Sequence, residues 1–258
     1  MNSQELQAAL GDLPLSGLRF FESLGSTNDE ALKWASQAAG DFSLVIADEQ
    51  TRGRGRLGRK WFTPPQTALA FSLILRPTVA ENNYPARVTG LGSLALVDAV
   101  SKLGVRAQIK WPNDVLINGK KTAGILVESV WSGESLDACI LGMGVNVLTS
   151  SVPPADQLSF PATSLENELG RPPDRLELLH DTLSSLLAWR SRLGSEEFIK
   201  SWAASLAFQG RQIQLIRENE PPLNGELLGL ESDGSLRIMV NDNLLTVKIG
   251  EIHLRPSV

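Results

Sequence analysis

The sequence predicts an α+β fold in which a sheet domain is followed by a small SH3-like barrel of short strands. Three observations carry this reading. Short apolar runs, at residues 43–47 and 68–75, have the composition of buried strands. Stretches with leucines at helical spacing, at 91–103 and 176–193, stand apart from the strand runs instead of alternating with them, so a doubly wound sheet is not expected. After Gly210 the chain turns into short β segments separated by turn formers.

Taken in order, the first twenty residues are too few for an independent domain. A helix is predicted just after Gly25, where Thr27-Asn28-Asp29-Glu30 has the form of a capping box. The strands at 43–47 and 68–75 enclose a loop rich in arginine and glycine, 52–60. Gly104 ends the helix at 91–103. Strands are then expected at 107–110, 115–117, 124–130 and 139–147. Prolines punctuate a loop and a short helix over 153–173. Leu176, Leu179, Leu183, Leu186, Leu187 and Leu193 form a core-facing stripe closed by Gly194, and Ser195 caps a second helix carrying Phe198 and Trp202. Short strands follow at 212–217, 225–231, 236–240 and 244–249. The expected division is a catalytic domain at 1–209 and the SH3-like domain at 210–258.

Composition narrows the functional classes. The chain has 258 residues, 42% hydrophobic and 21% charged, with a formal net charge of -5. That balance gives no global attraction to nucleic acid or to an anionic membrane. One cysteine, Cys139, excludes an internal disulfide and fits a reducing cytoplasm; in its apolar setting it reads as a packed thiol, not a nucleophile. His180 and His253 are too far apart in sequence, beside a single cysteine, to predict a zinc site. The N-terminal segment lacks a basic head and an apolar core, so it does not read as a secretory signal, and no run is long enough to span a bilayer.

Residues 52–61, RGRGRLGRKW, carry positive charge and no negative one. A basic run is most often a solvated loop. Here glycines alternate with the arginines, which lets backbone N–H groups approach an anion that the guanidinium forks grip, and Trp61-Phe62 follows at once. Gly53, Gly55 and Gly58 match the spacing of a dinucleotide fingerprint, but no helix follows them. A nucleic-acid-binding segment of the arginine-glycine type stays open as an alternative, although this is a single copy between two apolar strands. Lys110-Trp111-Pro112-Asn113-Asp114 sets a cation, an aromatic and a carboxylate around a turn, a pattern that alone is also an ordinary strand-end turn. Lys121 precedes the small residues Ala123 and Gly124, where something packs closely on the backbone, and Gly142, Gly144 and Asn146 repeat that character on the next strand.

Taken in order, GSTN at 25–28, Gln50, GRGRLGRKW, KWPND, KKTAGILVE and GMGVN resemble the catalytic domain of the biotin protein ligases. The resemblance runs from about Gly25 to Val147 and extends, in the placement of elements, over nearly the whole chain. It implies a mixed β-sheet domain of the class II aminoacyl-tRNA synthetase/biotin ligase type. It further implies ATP-dependent activation of biotin to biotinyl-5′-AMP, then transfer to a lysine of a biotin carboxyl carrier protein or domain of acetyl-CoA carboxylase. Fewer than thirty residues precede the STN motif, so a monofunctional ligase without the helix-turn-helix repressor domain, and without specific DNA binding, is expected. The neighbouring lipoate and octanoate ligases are the alternative within the fold class. A homodimer is compatible with the pattern.

The resemblance also assigns roles. Ser26, Thr27, Asn28 and Gln50 fall at the biotin head group, with Arg54, Gly55 and Arg56 in the ligand-contacting loop, a loop expected to order around ligand. Trp61 covers the biotin chain, and Gly124, Gly142 and Gly144 wall the pocket. Lys121 sits by the biotin carboxylate and α-phosphate. Arg54, Arg56, Arg59, Asn113, Asp114, Lys121 and Asn146 fall on the adenylate side; Lys121, Arg56, Lys110 and Asp114 are the catalytic candidates. Whether Lys110, Asn113 and Asp114 orient phosphate, metal or the incoming lysine stays open. Mg²⁺ is expected with ATP, with no ligands assigned. Some relatives stack a tryptophan on adenine where this chain has Pro161-Ala162-Thr163-Ser164-Leu165, leaving Phe160 as the aromatic for that task.

Overall fold

The computed structural model describes residues 1–217, 221–248 and 252–256. Seven strands form a mixed sheet: β1 (Gly17–Leu24), β2 (Ser43–Gln50), β3 (Ala68–Leu75), β4 (Ala107–Lys110), β5 (Asp114–Ile117), β6 (Lys120–Ser132) and β7 (Ser135–Asn146). Their order is β1-β2-β3-β7-β6-β5-β4. Only β1 and β2 run parallel, joined by helix α2 (Thr27–Ser36); the remaining pairs are antiparallel. Helices α1 (Ser3–Ala9), α3 (Arg87–Lys102), α4 (Leu165–Leu169), α5 (Arg175–Arg190) and α6 (Glu196–Ala204) complete this part. A second, antiparallel sheet follows, built from β8 (Gln212–Arg217), β9 (Leu223–Leu230), β10 (Leu236–Val240), β11 (Asn243–Val247) and β12 (Ile252–Pro256) in the order β11-β10-β9-β8-β12. The α+β architecture with an SH3-like C-terminal sheet is therefore as the sequence predicts.

Strand side chains alternate between faces, and this alternation organises the sheet. On one face Leu44, Ile46, Leu69, Phe71, Leu73, Ile125, Leu141, Met143 and Val145 join the large core with α3 and α5. On the other, Val45, Ile74, Ala138 and Ile140 pack under the alanines of α2, Ala31 and Ala35. That second face also receives Ser72 of β3, Gly124 and Leu126 of β6, and Gly142 and Gly144 of β7, where the small residues leave a hollow at the start of α2.

The local differences from sequence expectation have physical reasons. The predicted capping box does not form: Ser26 is the N-cap and its side chain makes no cap bond. Instead Gln50 Oε1 accepts from the Thr27 N–H at 2.8 Å and lies 3.1 Å from the Thr27 hydroxyl, so the helix is capped from a neighbouring strand. Helix α3 begins at Arg87, ahead of the expected position, with no capping side chain to signal it. Strand β1 was not expected, because its half-buried edge pattern lacks a clean alternation; α1 and β12 were also missed. Strand β11 ends at Val247, and the expected end at 249 lies outside the described residues.

A buried arginine bolts the second sheet to the helices of the first part. Arg87, 5% exposed, donates from Nε to the Ser232 carbonyl at 3.0 Å and from Nη2 to the same oxygen, and from Nη1 to the Leu193 carbonyl at 2.6 Å. Its guanidinium stacks on Tyr84 at 4.3 Å. Nearby, Trp111 Nε1 donates to the Gly234 carbonyl at 3.1 Å, and the Trp202 ring fills the space a Cβ would need at Gly90 and Gly234. Arg87→Met leaves those carbonyls unpaired and is expected to cost about 1.5–3 kcal/mol, the scale of hydrogen bonds to a charged group. Urea unfolding measures this; a midpoint equal to wild type would mean water replaces the guanidinium at no cost.

Candidate active site

The hollow opens into a cleft of about 1060 Å³. All the residues singled out from the sequence line it: Ser26, Thr27, Asn28, Gln50, Arg54, Gly55, Arg56, Arg59, Trp61, Lys110, Asn113, Asp114, Lys121, Gly124, Gly142, Gly144 and Asn146. They arrive from the start of α2, the end of β2, the loop after it, the β4–β5 turn and strands β6 and β7.

One half of the cleft gathers uncharged polar groups, with the ion-paired Arg54 and Asp29 at its edge. Ser72, a lone polar residue within the apolar β3, is fully buried, and its Oγ lies 2.8 Å from Thr27 Oγ1 and 2.6 Å from Asn28 Oδ1. Gln50 Nε2 donates to Thr63 Oγ1 at 3.2 Å, extending the network. A Cβ at Gly142 would strike Asn28 Oδ1, and one at Gly144 would strike the Trp61 indole. These two glycines are thus required by close approach: the first admits the amide of Asn28, the second the ring of Trp61. Trp61 Nε1 is buried there with no hydrogen-bond partner among the described residues.

The other half is cationic and is organised around Asp114. Lys121 Nζ approaches Asp114 Oδ1 at 2.5 Å, and Lys110 Nζ approaches Oδ2 at 2.8 Å. Burial by itself would raise the Asp114 pKa, but Lys121 and Lys110 outweigh it and hold the carboxyl well below the usual carboxylate range. Burial pulls Lys110 below the ordinary lysine value, against the attraction of Asp114. Burial likewise lowers Arg56, with Asp114 opposing. It also lowers Arg255 of β12, where the neighbouring charge of Arg59 adds to the effect. Among the described residues, Arg56, Arg59, Lys110, Lys121 and Arg255 line this end of the cleft together with Asp114. A grouping of cations of this kind is suited to receive an anion.

Secondary contacts fix these groups. Arg56 Nη1 donates to Asn113 Oδ1 at 3.1 Å, while Asn113 Nδ2 donates to the Ile125 carbonyl at 2.9 Å, so the loop and the KWPND turn are tied to β6. The loop is a short hairpin: the Trp61 N–H donates to the Gly53 carbonyl at 2.9 Å, and the Gly55 N–H to the Arg59 carbonyl at 2.7 Å. The segment carrying Ala162 pairs with Lys121, whose N–H donates to the Pro161 carbonyl at 2.8 Å. Asn146 Nδ2 donates to the Thr163 carbonyl at 3.1 Å. Phe160 stands between cations, 4.8 Å from Lys110 Nζ and 5.2 Å from Arg255 Cζ. Arg255, Leu254, Phe62, Gln157 and Leu158 also line the cleft and were not anticipated. Ser72 had one legible signal, its polarity inside ALAFSLIL; Arg255 had none. Cys139 is buried on the opposite face, and burial raises its pKa, as expected for a packed thiol.

Comparison with known proteins identifies the family. Residues 20–146 match the Biotin/lipoate A/B protein ligase family. The bifunctional ligase/repressor BirA of Bacillus subtilis is 32% identical over 241 residues, covering 92% of this chain and 74% of the relative. The biotin–[acetyl-CoA-carboxylase] ligase of Paracoccus denitrificans is 36% identical over 220 residues, covering 82% and 89%. The solved biotin protein ligase from Aquifex aeolicus in complex with biotin and ATP superposes with a TM-score of 0.80 at 28% identity, covering 93% of this chain and 99% of that one. The chain belongs to the biotin protein ligase family.

Asp114→Asn strips the charge that pairs two lysines, one of them buried, and is expected to cost about 3–5 kcal/mol. Because the folded Asp114 pKa is depressed, the wild-type advantage is full above the unfolded value near ~4 and shrinks as pH falls through the lower folded one. Denaturant titrations of both proteins at pH 7 and pH 3 measure it; an equal gap at the two pH values would show that the ionised carboxylate is not the source.

Proposed function

We propose that this protein joins biotin to ATP, forming biotinyl-5′-AMP, and then transfers the biotinyl group to a lysine of a biotin carboxyl carrier protein or domain. The observation that carries the reading is the division of one cleft into a neutral polar end and a cationic end, with Trp61 between them. The hydroxyls and amides of Ser26, Thr27, Asn28 and Gln50 suit a ureido ring, which offers both donors and an acceptor. Trp61 suits the apolar chain. The biotin carboxylate then falls beside Lys121.

In the first step a carboxylate oxygen attacks the α-phosphorus of ATP; a new P–O bond forms, the bond to the bridging oxygen breaks, and pyrophosphate leaves. Several negative charges crowd one centre, and Lys121, Arg56 and Arg59 are placed to offset them. In the second step the lysine amine attacks the acyl carbon of the anhydride, AMP departs with the bonding electrons, and the nitrogen loses its proton. Asp114, held ionised by two ammonium groups, keeps Lys121 and Lys110 in position through both steps. Phe160 is the aromatic of the nucleotide end and takes the adenine.

Among the described residues, the carboxylates do not fit a protein-held Mg²⁺ site. Both oxygens of Asp114 are occupied by lysines, and no group of three or more metal-ligating side chains lies together among the described residues. Mg²⁺ accordingly belongs to this reading as the counter-ion of substrate ATP. The division of the chain at residue 210 is part of the same proposal: Leu206 bridges to Ile109 of the large sheet, and the Gly210 N–H donates to Leu227 of the small one. No helix among the described residues is long and apolar enough to cross a membrane.

Pyrophosphate release from Mg·ATP is expected with biotin, and neither with lipoate nor with octanoate, and to be lost in Lys121→Ala. Release with lipoate alone would move the protein to the neighbouring ligases, and no release with any acid would refute adenylation. Arg56→Gly is expected to release biotinyl-5′-AMP about ten- to a hundred-fold faster, matching the loss of roughly 1.5–3 kcal/mol. A filter-binding chase measures that rate, and an unchanged one removes Arg56 from the adenylate site.

A further inference from the structure

Glu128 ends the KKTAGILVE motif, and neither the sequence reading nor the proposed chemistry gives it a task. It lies on β6, on the face that carries Gly124 and Leu126. One of its oxygens, Oε2, accepts from two donors of different origin: Asn28 Nδ2 at 2.7 Å and Arg54 Nη2 at 2.7 Å. The same Arg54 nitrogen lies 2.7 Å from Asp29 Oδ1, one residue beyond Asn28. Arg54 therefore faces two carboxylates, whereas Arg56 and Arg59 lie in the cationic half of the cleft.

We propose that Glu128 is a positioning residue that couples the neutral end of the cleft to the arginine-glycine loop, and that Arg54 is the anchor of that loop instead of a phosphate ligand. The orientation of Asn28 is the first half of the argument. Its Oδ1 is met by Ser72 Oγ at 2.6 Å, and its Nδ2 also reaches the Leu126 carbonyl at 3.4 Å. An amide flip would set Oδ1 against the Glu128 carboxylate and Nδ2 against Gly142, so the Glu128 charge fixes which way Asn28 points. The second half is Arg54, which by meeting both Asp29 and Glu128 ties the loop to the first turn of α2 and to β6. Because one oxygen holds both donors, a ligand that tightens against Asn28 pulls on the loop through a single atom. Partly exposed ion pairs of this kind add little to global stability, so the clasp acts on placement and not on folding.

The coupling rests on the neutral end being where the biotin head sits, and the test keeps the two apart. Biotin-dependent pyrophosphate release by the wild type is the control: its absence would refute the assignment of the substrate, whatever Glu128 does. Given release, Glu128→Gln is expected to raise the KM for biotin about tenfold, the effect of losing one charge-assisted hydrogen bond, with its thermal midpoint unchanged. Trypsin is expected to cut the 52–60 loop of the ligand-free variant faster than that of wild type. Arg54→Met is expected to raise the biotin KM alone but to add nothing in the Glu128→Gln background. A purely structural role would not produce that non-additivity. Wild-type KM and cleavage in Glu128→Gln, or effects that multiply in the double variant, would overturn the proposal. Should Glu128→Gln fail to fold, Arg54→Met, which leaves Asn28 and Glu128 in contact, decides it by its own biotin KM: raised supports the clasp, unchanged refutes it.

Discussion

Side chains on a strand point alternately to the two faces of a sheet, and the site exists because one face gives up its side chains along two adjoining rows. Ala70, Gly144 and Gly124 stand opposite one another across β3, β7 and β6, and Ser72, Gly142 and Leu126 form the row beside them. The neighbouring residues on the opposite face, Phe71, Met143 and Ile125, are large and packed. The strands thus keep full burial on one side while opening a hollow on the other. Asn28 and Trp61 lie down in that hollow, each over a glycine, and any Cβ there would displace them.

From this floor the charges follow. A cleft walled by protein on several sides weakens solvent screening, so like charges can be gathered only if something compensates them. Asp114 does so for Lys110 and Lys121, and burial shifts the pKa of Lys110, Arg56 and Arg255 in the same downward sense. Among the described residues, cationic side chains outnumber carboxylates at one end of the cleft, and uncharged donors and acceptors gather at the other. The small C-terminal sheet takes part directly, since Arg255 of β12 lines the cleft and donates from Nη2 to the Ser159 carbonyl at 3.1 Å. Arg87 and Trp111 fix that sheet to the rest, and Trp111 belongs to the same KWPND turn that carries Lys110 and Asp114.

Much of this was legible in the amino-acid sequence for reasons that can be named. Strands β3, β4, β8 and β10 are uninterrupted apolar or alternating runs between clear turn formers, so their limits coincide with those expected. The glycines of β6 and β7 and the charges of the arginine-glycine loop are local signals, and each falls on the cleft. What escaped was what depends on partners far along the chain. The edge strand β1 is only half-buried and has no pattern of its own. The cap of α2 comes from Gln50, not from its own first turn. Ser72, Glu128 and Arg255 do their work through residues more than forty positions away, and no spacing rule reveals such a pairing.

Those long-range pairings explain why the motifs occur together. Lys121 is the point where they converge. Its side chain meets Asp114 of KWPND and lies 5.3 Å from the ring of Trp61, at the end of the arginine-glycine loop. Its backbone pairs with the segment 161–163, which Asn146 of GMGVN also holds. Arg56 reaches the same strand through Asn113, and Arg54 reaches it further along through Glu128. These described loops are therefore referenced to β6, the long strand that pairs with β7 along the glycine rows. A displacement of any loop relative to β6 changes the distance between the cationic and neutral ends, which is the one dimension a substrate with a polar ring at one end and a carboxylate at the other must match. Fixing both ends to one strand makes that dimension a property of the hydrogen-bonded sheet, and leaves to the loops only the task of closing over the substrate.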